Sequence, residues 1–351
     1  MVGFAMPNNP AIVLIASPLE DEHVARLRAL APDRLQVLHD AHLLPPPRFP
    51  ADHKGGPFQR SPDQQARWQG MLGRANILFD LPAAEDLPHL SRLAWVQTTS
   101  TGVGPAVARL GLDRLGILVT TARGVHAGPL AEWVFMALLS HLRGFDRLRA
   151  EQRAKRWERY SGEDLAGRTL VLIGAGDLAR GCARVARALD MRVVAVARDP
   201  ARSRAHDALF DAVMPVGELH VALAMADALV VTVPHTPETE GMVDAAAFAA
   251  LRPGALFVNI GRGQAVDHVA LVAALQSGQV AFAALDVTDP EPLPAESPLW
   301  GLPNVLISPH SASTVGRENA RITSIFCHNL GCWLDGRRAD MRNLLDVRLM
   351  Y

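Results

Sequence analysis

The chain has 351 residues, a length that accommodates two domains, each able to bury its own core. It is 49% hydrophobic and 20% charged, which excludes wholesale disorder. With 35 basic against 36 acidic side chains the formal charge is -1, so nothing draws the chain as a whole toward nucleic acid or an anionic membrane, and a small anion would need a local basic site.

The β-branched run at residues 11–16 ends at Ser17-Pro18 and reads as a strand, with a helix at 19–30. Residues 42–62 include Pro45-Pro46-Pro47 and Gly55-Gly56-Pro57 and read as a loop or insertion. Apolar runs at 75–79, 93–97 and 116–120 have the character of buried parallel strands. Leu130, Val134, Ala137, Leu138 and His141 lie at helical spacing and predict a long buried helix over 128–143, suited to tying two domains together. The charged stretch 147–168 reads as a solvated crossing. Six strands are then predicted, at 170–173, 192–196, 228–233, 256–260, 281–287 and 305–308, alternating with helices, as in a doubly wound parallel sheet. A helix at 319–334 follows.

Cys182, Cys327 and Cys332 match no common zinc spacing and form no paired framework, so they read as buried small hydrophobes in a reducing compartment, with no metal expected. No basic region precedes a long apolar stretch at the N-terminus, and no apolar run has membrane length, so a cytoplasmic protein is expected.

Gly174-Ala-Gly-Asp-Leu-Ala179 follows the strand at 170–173 and opens a helix. Gly174 suits a tight turn, Gly176 a close approach of backbone to a pyrophosphate, and Ala179 close packing of helix on strand. Free N–H groups at the helix start, around Asp177 and Leu178, would face the phosphates. Such a string is weak by itself, but strand, turn, helix and second strand are all in place. The second strand ends at Ala197-Arg198-Asp199, where an NAD site would carry an acid for the ribose hydroxyls. Arg198, assisted by Arg202 or Arg204, suits a 2'-phosphate, which favours NADP over NAD. Two alternatives stay open: Asp199 as a ribose acid one residue out of register, and Arg198 as an ordinary solvated charge.

Three further strand ends run into Gly261-Arg262-Gly263, Thr288-Asp-Pro-Glu291-Pro292 and Pro309-His310-Ser311. Ligands of doubly wound sheets bind beyond the carboxyl ends of the strands, so these ends can converge beside a nicotinamide. Reduction of a 2-keto acid needs a hydride, a proton for the carbonyl oxygen and a cation for the carboxylate. His310 fits the proton donor, Glu291 would orient its ring and favour the imidazolium, and Arg262 can grip carboxylate and keto oxygens with its planar fork. Singly, Arg262 could be a surface loop charge, Glu291 a solvated turn residue and His310 a partly buried helix-start residue; jointly, at successive strand ends behind a nucleotide turn, they argue against coincidence.

The segments Asn259-Ile-Gly-Arg-Gly-Gln-Ala-Val-Asp267, Leu285-Asp-Val-Thr-Asp-Pro-Glu-Pro-Leu-Pro294, Ser297-Pro-Leu-Trp300 and Pro303-Asn-Val-Leu-Ile-Ser-Pro-His-Ser-Ala312 resemble, in order, the motifs of the D-isomer-specific 2-hydroxyacid dehydrogenase family, its glyoxylate/hydroxypyruvate reductase-like members included. Gln97-Thr-Thr-Ser-Thr-Gly-Val103 and Thr121-Ala-Arg-Gly-Val-His-Ala127 extend the match. The resemblance implies two Rossmann-like α/β domains: a discontinuous substrate domain, 1–124 with 312–351, and an inserted dinucleotide domain, 125–311. It implies that the backbone of Ser100, Thr101, Gly102 and Val103 holds the substrate carboxylate, that Asp286 meets the nicotinamide carboxamide, and that Thr232, Val233 and Pro234 line the cofactor cleft. It further implies a homodimer formed through the cofactor domain and hinge closure of the cleft.

The chain departs from the family pattern at Ala179, in place of a third glycine, and at Ala197, in place of the ribose acid. His268 stands where an acid often follows the Val-Asp pair, and a surface position is expected for it. No regulatory domain follows Tyr351, which argues against the serine-biosynthetic members. Formate-type relatives pair the histidine with glutamine, so Glu291 disfavours them. The expected activity is reduction of glyoxylate, hydroxypyruvate or a related short acid. A dinucleotide-sensing, corepressor-like protein is the alternative, weakened by the absence of long disordered tails.

Overall fold

A computed structural model describes residues 10–201 and 208–346. They divide into two compact units, one comprising the described residues through Val125 with those from Thr314 onward, the other His126–Ser313. The first unit begins with β1 (Ala11–Ile15), α1 (Asp21–Arg28) and β2 (Leu35–Leu38), then α2 (Pro62–Leu72), β3 (Ile77–Phe79), β4 (Trp95–Gln97), α3 (Gly104–Leu110) and β5 (Leu118–Thr120). The strands form a parallel sheet in the order β2-β1-β3-β4-β5. Side chains alternate across it: Val13 and Ile15 enter one apolar cluster and Leu14 the other.

The loop expected at 42–62 is organised around Asp52. Its carboxylate accepts hydrogen bonds from the Arg48 backbone N–H and guanidinium at 3.1, 2.7 and 3.0 Å, and from the Lys54 and Gly55 N–H groups at 3.3 and 3.1 Å. The loop ends where Ser61 caps α2 reciprocally with Gln64 and Pro62 takes the first turn, where its missing N–H costs nothing.

The second unit opens with α4 (Ala127–Leu142), the long helix anticipated, and α5 (Phe145–Arg153). That second helix corrects the reading of 147–168 as a plain crossing: its sequence is charged and buries no residue, and its apolar Phe145 and Leu148 stand exposed, so it has no core-facing stripe to announce it. Then come β6 (Thr169–Ile173), α6 (Asp177–Ala188), β7 (Arg192–Ala197), β8 (Ala212–Pro215), α7 (Leu219–Leu223), β9 (Ala228–Val231), α8 (Ala245–Ala250), β10 (Ala255–Asn259), α9 (His268–Ser277), β11 (Val280–Leu285) and β12 (Val305–Ile307). Among the described residues the sheet has seven parallel strands, β12-β11-β10-β9-β6-β7-β8, one more than predicted. The addition is β8, a short edge strand. The chain runs outward from β6 through β7 to β8 and returns on the other side at β9, so the sheet's switch point lies between β6 and β9.

The chain then returns to the first unit as α10 (Glu318–Leu334), whose Ile322, Phe326 and Leu330 pack on the β1–β3–β4 face; the Phe326 ring lies 5.2 Å from Trp95 and 5.3 Å from Phe79. Cys182 and Cys332 are buried as expected, with burial pushing the Cys182 thiol up to about 12, but Cys327 is partly exposed.

Candidate active site

The second unit's sheet brings its functional loops to one edge because all its strands are parallel, so the ends of β6, β9, β10, β11 and β12 open on the same side. At β6 the chain turns through Gly174 at φ +109°, a conformation side chains rarely adopt. A Cβ there would also stand 2.5 Å from Thr232 Oγ1, the hydroxyl that donates to Ile173 O at 2.8 Å. The turn after β6 and the loop after β9, with Val233 and Pro234, therefore meet at the switch point. Gly176 is exposed, and a Cβ there would find nothing within 4 Å. This leaves an open approach to the first N–H groups of the twelve-residue α6. Asp177 lies 3.7 Å from Arg180, Leu178 packs partly against the core, and Ala179 is wholly buried, as close packing of helix on strand requires. Turn, open glycine and helix start fit the pyrophosphate of a dinucleotide.

Arg198 is the first residue beyond β7 and is exposed, as is Asp199. Both line a depression with Pro200, Met214, Pro215 and Glu218. In the loop after β9, the Glu238 carboxyl is held below its usual range, first by the Thr236 hydroxyl and least by the positive charge of Arg198. Arg202 and Arg204 lie outside the described residues.

At β10, the fully buried Asn259 shapes the next turn. Its Oδ1 accepts from Gly261 N at 3.0 Å and its Nδ2 donates to Arg262 O at 3.0 Å. The Arg262 guanidinium is half-buried and donates to Gly261 O at 2.6 Å. Burial draws its pKa down, against the pull of the Glu291 and Asp286 carboxylates; a guanidinium has range to spare and stays a cation. Gly263 packs so tightly on the Thr288 carbonyl that no Cβ fits between them.

The loop after β11 delivers Glu291. Its Oε1 accepts from Thr288 N at 3.1 Å, and its Oε2 lies 2.9 Å from His310 Nδ1. Both side chains are more than a third exposed, so the pair adds little to stability; its consequence is orientation. His310 sits at φ +53°, an uncommon backbone state for a non-glycine residue. What holds it there is Asp286, a buried carboxylate whose Oδ1 accepts from Ser308 Oγ at 2.8 Å and Ala312 N at 2.9 Å, while its backbone O accepts from His310 N at 2.9 Å. A cation, an anchored carboxylate and an imidazole with one nitrogen fixed form a set able to bind a carboxylate and move a proton.

A family profile for D-isomer specific 2-hydroxyacid dehydrogenase, NAD binding domain, matches residues 135–312. An (S)-sulfolactate dehydrogenase of Chromohalobacter salexigens is 35% identical over 237 residues, 64% of this chain and 76% of the relative. The chain belongs to the D-isomer specific 2-hydroxyacid dehydrogenase family. This dehydrogenase is an NAD(P)-dependent oxidoreductase. It is also 33% identical over 277 residues to D-3-phosphoglycerate dehydrogenase of Mycobacterium leprae, a match covering 74% of this chain and about half (51%) of that longer protein. A D-isomer specific 2-hydroxyacid dehydrogenase from Xanthobacter autotrophicus Py2, solved in complex with NADPH and MES, aligns at a TM-score of 0.74 and 27% identity over 98% of this chain and 100% of that one.

Ser100, Thr101, Gly102 and Val103 of the dehydrogenase lie in the first unit, between β4 and α3. Beneath them runs a buried network that sequence reading missed. Thr98 Oγ1 donates to Ser100 O at 2.7 Å, Gln97 Oε1 accepts from Thr120 Oγ1 at 2.8 Å and Asn329 Nδ2 at 3.3 Å, and Thr120 Oγ1 accepts from Trp95 Nε1 at 2.9 Å. A run of amides and hydroxyls at strand ends, Gln97-Thr98-Thr99, was its available signal. His268 corrects an expectation. It is partly buried rather than a surface residue, because its ring folds back onto the Asp289 carbonyl, 3.0 Å from Nδ1. Among the described residues, no group of three or more His, Cys, Asp or Glu is placed to hold a metal, and no helix is long and apolar enough to cross a membrane.

Proposed function

We propose that this dehydrogenase reduces a small 2-keto acid to the (D)-2-hydroxy acid, with His310 as general acid/base, Glu291 as its partner and Arg262 as the cation for substrate. The observation that carries the reading is the 2.9 Å contact between His310 Nδ1 and Glu291 Oε2. With Nδ1 donating to the carboxylate, Nε2 is the nitrogen left to give a proton to the keto oxygen, and the carboxylate favours the imidazolium that must exist before transfer. Arg262 binds the substrate carboxylate and the oxygen on which negative charge develops. The backbone of Ser100–Val103 serves as the second carboxylate contact. A reduced nicotinamide, when bound, supplies the hydride. Gly174, Gly176 and the start of α6 seat its pyrophosphate, with Asp177 and Leu178 in the first turn. Val233 and Pro234 flank it, and Asp286 meets the carboxamide with the carboxylate edge that Ser308 and Ala312 leave free. Arg198 favours the 2'-phosphate of NADPH, a reading supported by the NADPH bound to the Xanthobacter relative. Residues 1–124 with 312–351 act as the substrate domain and 125–311 as the cofactor domain.

A homodimer formed through the second unit accounts for apolar side chains that water would otherwise face: Met136, Phe145, Leu148 and Trp157, the last 96% exposed. A cytoplasmic setting suits three free thiols. The deciding experiment follows NADPH and NADH absorbance with a panel of 2-keto acids including glyoxylate and hydroxypyruvate. Turnover of at least one acid, faster with NADPH, is expected. Dinucleotide binding with no turnover of any acid would overturn the proposal in favour of a sensor.

A further inference from the structure

We propose that His268 and Gln264 are positioning residues which, by gripping Asp289, fix the loop that carries Glu291. The inference rests on the reading of Glu291 and His310 as the proton-transfer pair.

His268 is the first residue of α9, directly after Asp267, whose carboxylate caps the helix by accepting from Val269 N at 2.9 Å and Ala270 N at 3.0 Å. From there the imidazole Nδ1 lies 3.0 Å from the backbone oxygen of Asp289. A carbonyl oxygen only accepts, so Nδ1 carries the hydrogen. In the neutral ring Nε2 is then a bare lone pair, and that atom is enclosed with no hydrogen-bond partner. A second proton would place a buried N–H there without an acceptor, at the positive end of a helix. Burial accordingly draws the ring's pKa down, with the Asp289 carbonyl and the Asp289 and Asp267 carboxylates pulling the other way.

Four residues earlier, Gln264 Nε2 donates to the Asp289 carboxylate at 3.0 Å. Asp289 is thus held by its backbone and its side chain, both from the segment that begins at Arg262. The Gly263–Thr288 packing closes the same seam. From Thr288 the order passes to Glu291 through the 3.1 Å N–H bond, and from Glu291 to His310. The clamp therefore fixes the cation and the acid/base pair relative to one another. A carboxylate at 268 would have no proton to offer the Asp289 carbonyl near neutral pH, so the imidazole is what lets residue 268 make this contact.

Steady-state kinetics with NADPH and either glyoxylate or hydroxypyruvate test the clamp in His268→Leu, His268→Asn, Glu291→Gln and the Glu291→Gln/His268→Leu double variant. His268→Leu should lower kcat about 10- to 100-fold through a misplaced acid/base pair, with KM for NADPH nearly unchanged. His268→Asn, which restores a donor, should recover most of the loss. The double variant should be scarcely worse than Glu291→Gln, because His268 acts through Glu291. Nitrogen-15 NMR of histidine-labelled native protein should show, apart from His310, a neutral ring protonated at Nδ1 whose signal is removed by His268→Asn; this readout needs no turnover and no fully folded Leu variant. Normal kcat in His268→Leu, losses that multiply in the double variant, or an Nε2–H tautomer would each overturn the clamp. Normal kcat in Glu291→Gln would instead remove the underlying acid/base reading, while the tautomer would still report the clamp.

Discussion

The turns after β1 and β6 hold equivalent places in two parallel sheets, each at the point where the chain leaves a first strand and later returns on its other side. The turn after β6 is two glycines and an open helix start. The turn after β1 is Ser17-Pro18-Leu19-Glu20, with Ser17 buried and Glu20 accepting from Asn319 Nδ2 at 2.7 Å. Asp21 and Glu22 follow in the first turn of α1, two carboxylates against the single Asp177 of α6, and no glycine opens that helix start to a phosphate. One topology thus supports two outcomes, and the turn chemistry decides which unit can seat a dinucleotide.

The largest test removes His310, the proposed proton donor of the second unit. His310→Asn should lower kcat by roughly 10²- to 10⁴-fold, the usual share of a general acid. NADPH affinity, measured by fluorescence titration, should barely change. A rate within tenfold of wild type would mean that the chemistry is not centred on the strand ends of this sheet.

The two turns can also be set against each other directly. Gly174→Ala forces a side chain into φ +109° and against Thr232 Oγ1, and should weaken NADPH binding at least about tenfold and lower Tm. Ser17→Ala should leave NADPH affinity alone and leave Tm level or higher, since Ser17 Oγ is enclosed without a partner. If Ser17→Ala weakens NADPH as much as Gly174→Ala does, the contrast between the turns collapses. A smaller effect refines the same site: Arg198→Ala should weaken NADPH about 10- to 100-fold and NADH hardly at all, since a charged hydrogen bond to phosphate is lost. Equal losses would locate the 2'-phosphate elsewhere.

The contrast between units extends to what a single sequence discloses. Central strands such as β6 and β10 are buried along their whole length and read as continuous apolar runs, which made the second sheet legible. The strands missed, β2 and β8, are four-residue edge strands whose buried and exposed positions mix, too short for a period of two to declare itself. Arg262, Glu291 and His310 were legible as candidates because each follows shortly after a predicted strand. His268 was not: its meaning depends on a carbonyl twenty-one residues away, and an isolated histidine at a helix start looks like surface. The loop at Ser100–Val103, proposed to act through its backbone, carries no chemical signature beyond the family motif, since a backbone contact leaves no mark on side-chain type.

The mildest prediction concerns the first unit alone, where the ordered segment around Asp52 should matter for stability and little for hydride transfer. Hydrogen bonds from Arg48, foremost, and from backbone N–H groups hold the Asp52 carboxyl well below the usual carboxylate range, despite its burial. A carboxyl whose folded pKa is depressed contributes stability that is complete above its unfolded value, about pH 4, and drains away as pH falls further toward the folded value. Asp52→Asn should therefore melt a few degrees below wild type, by an amount that stays constant from about pH 7 to about pH 5 and narrows only in stronger acid. Proteolysis should quicken first within residues 45–56. A gap that closes already between about pH 7 and pH 5 would mean that Asp52 is not the charge that orders this loop, and that the first unit owes the segment's conformation to its prolines instead.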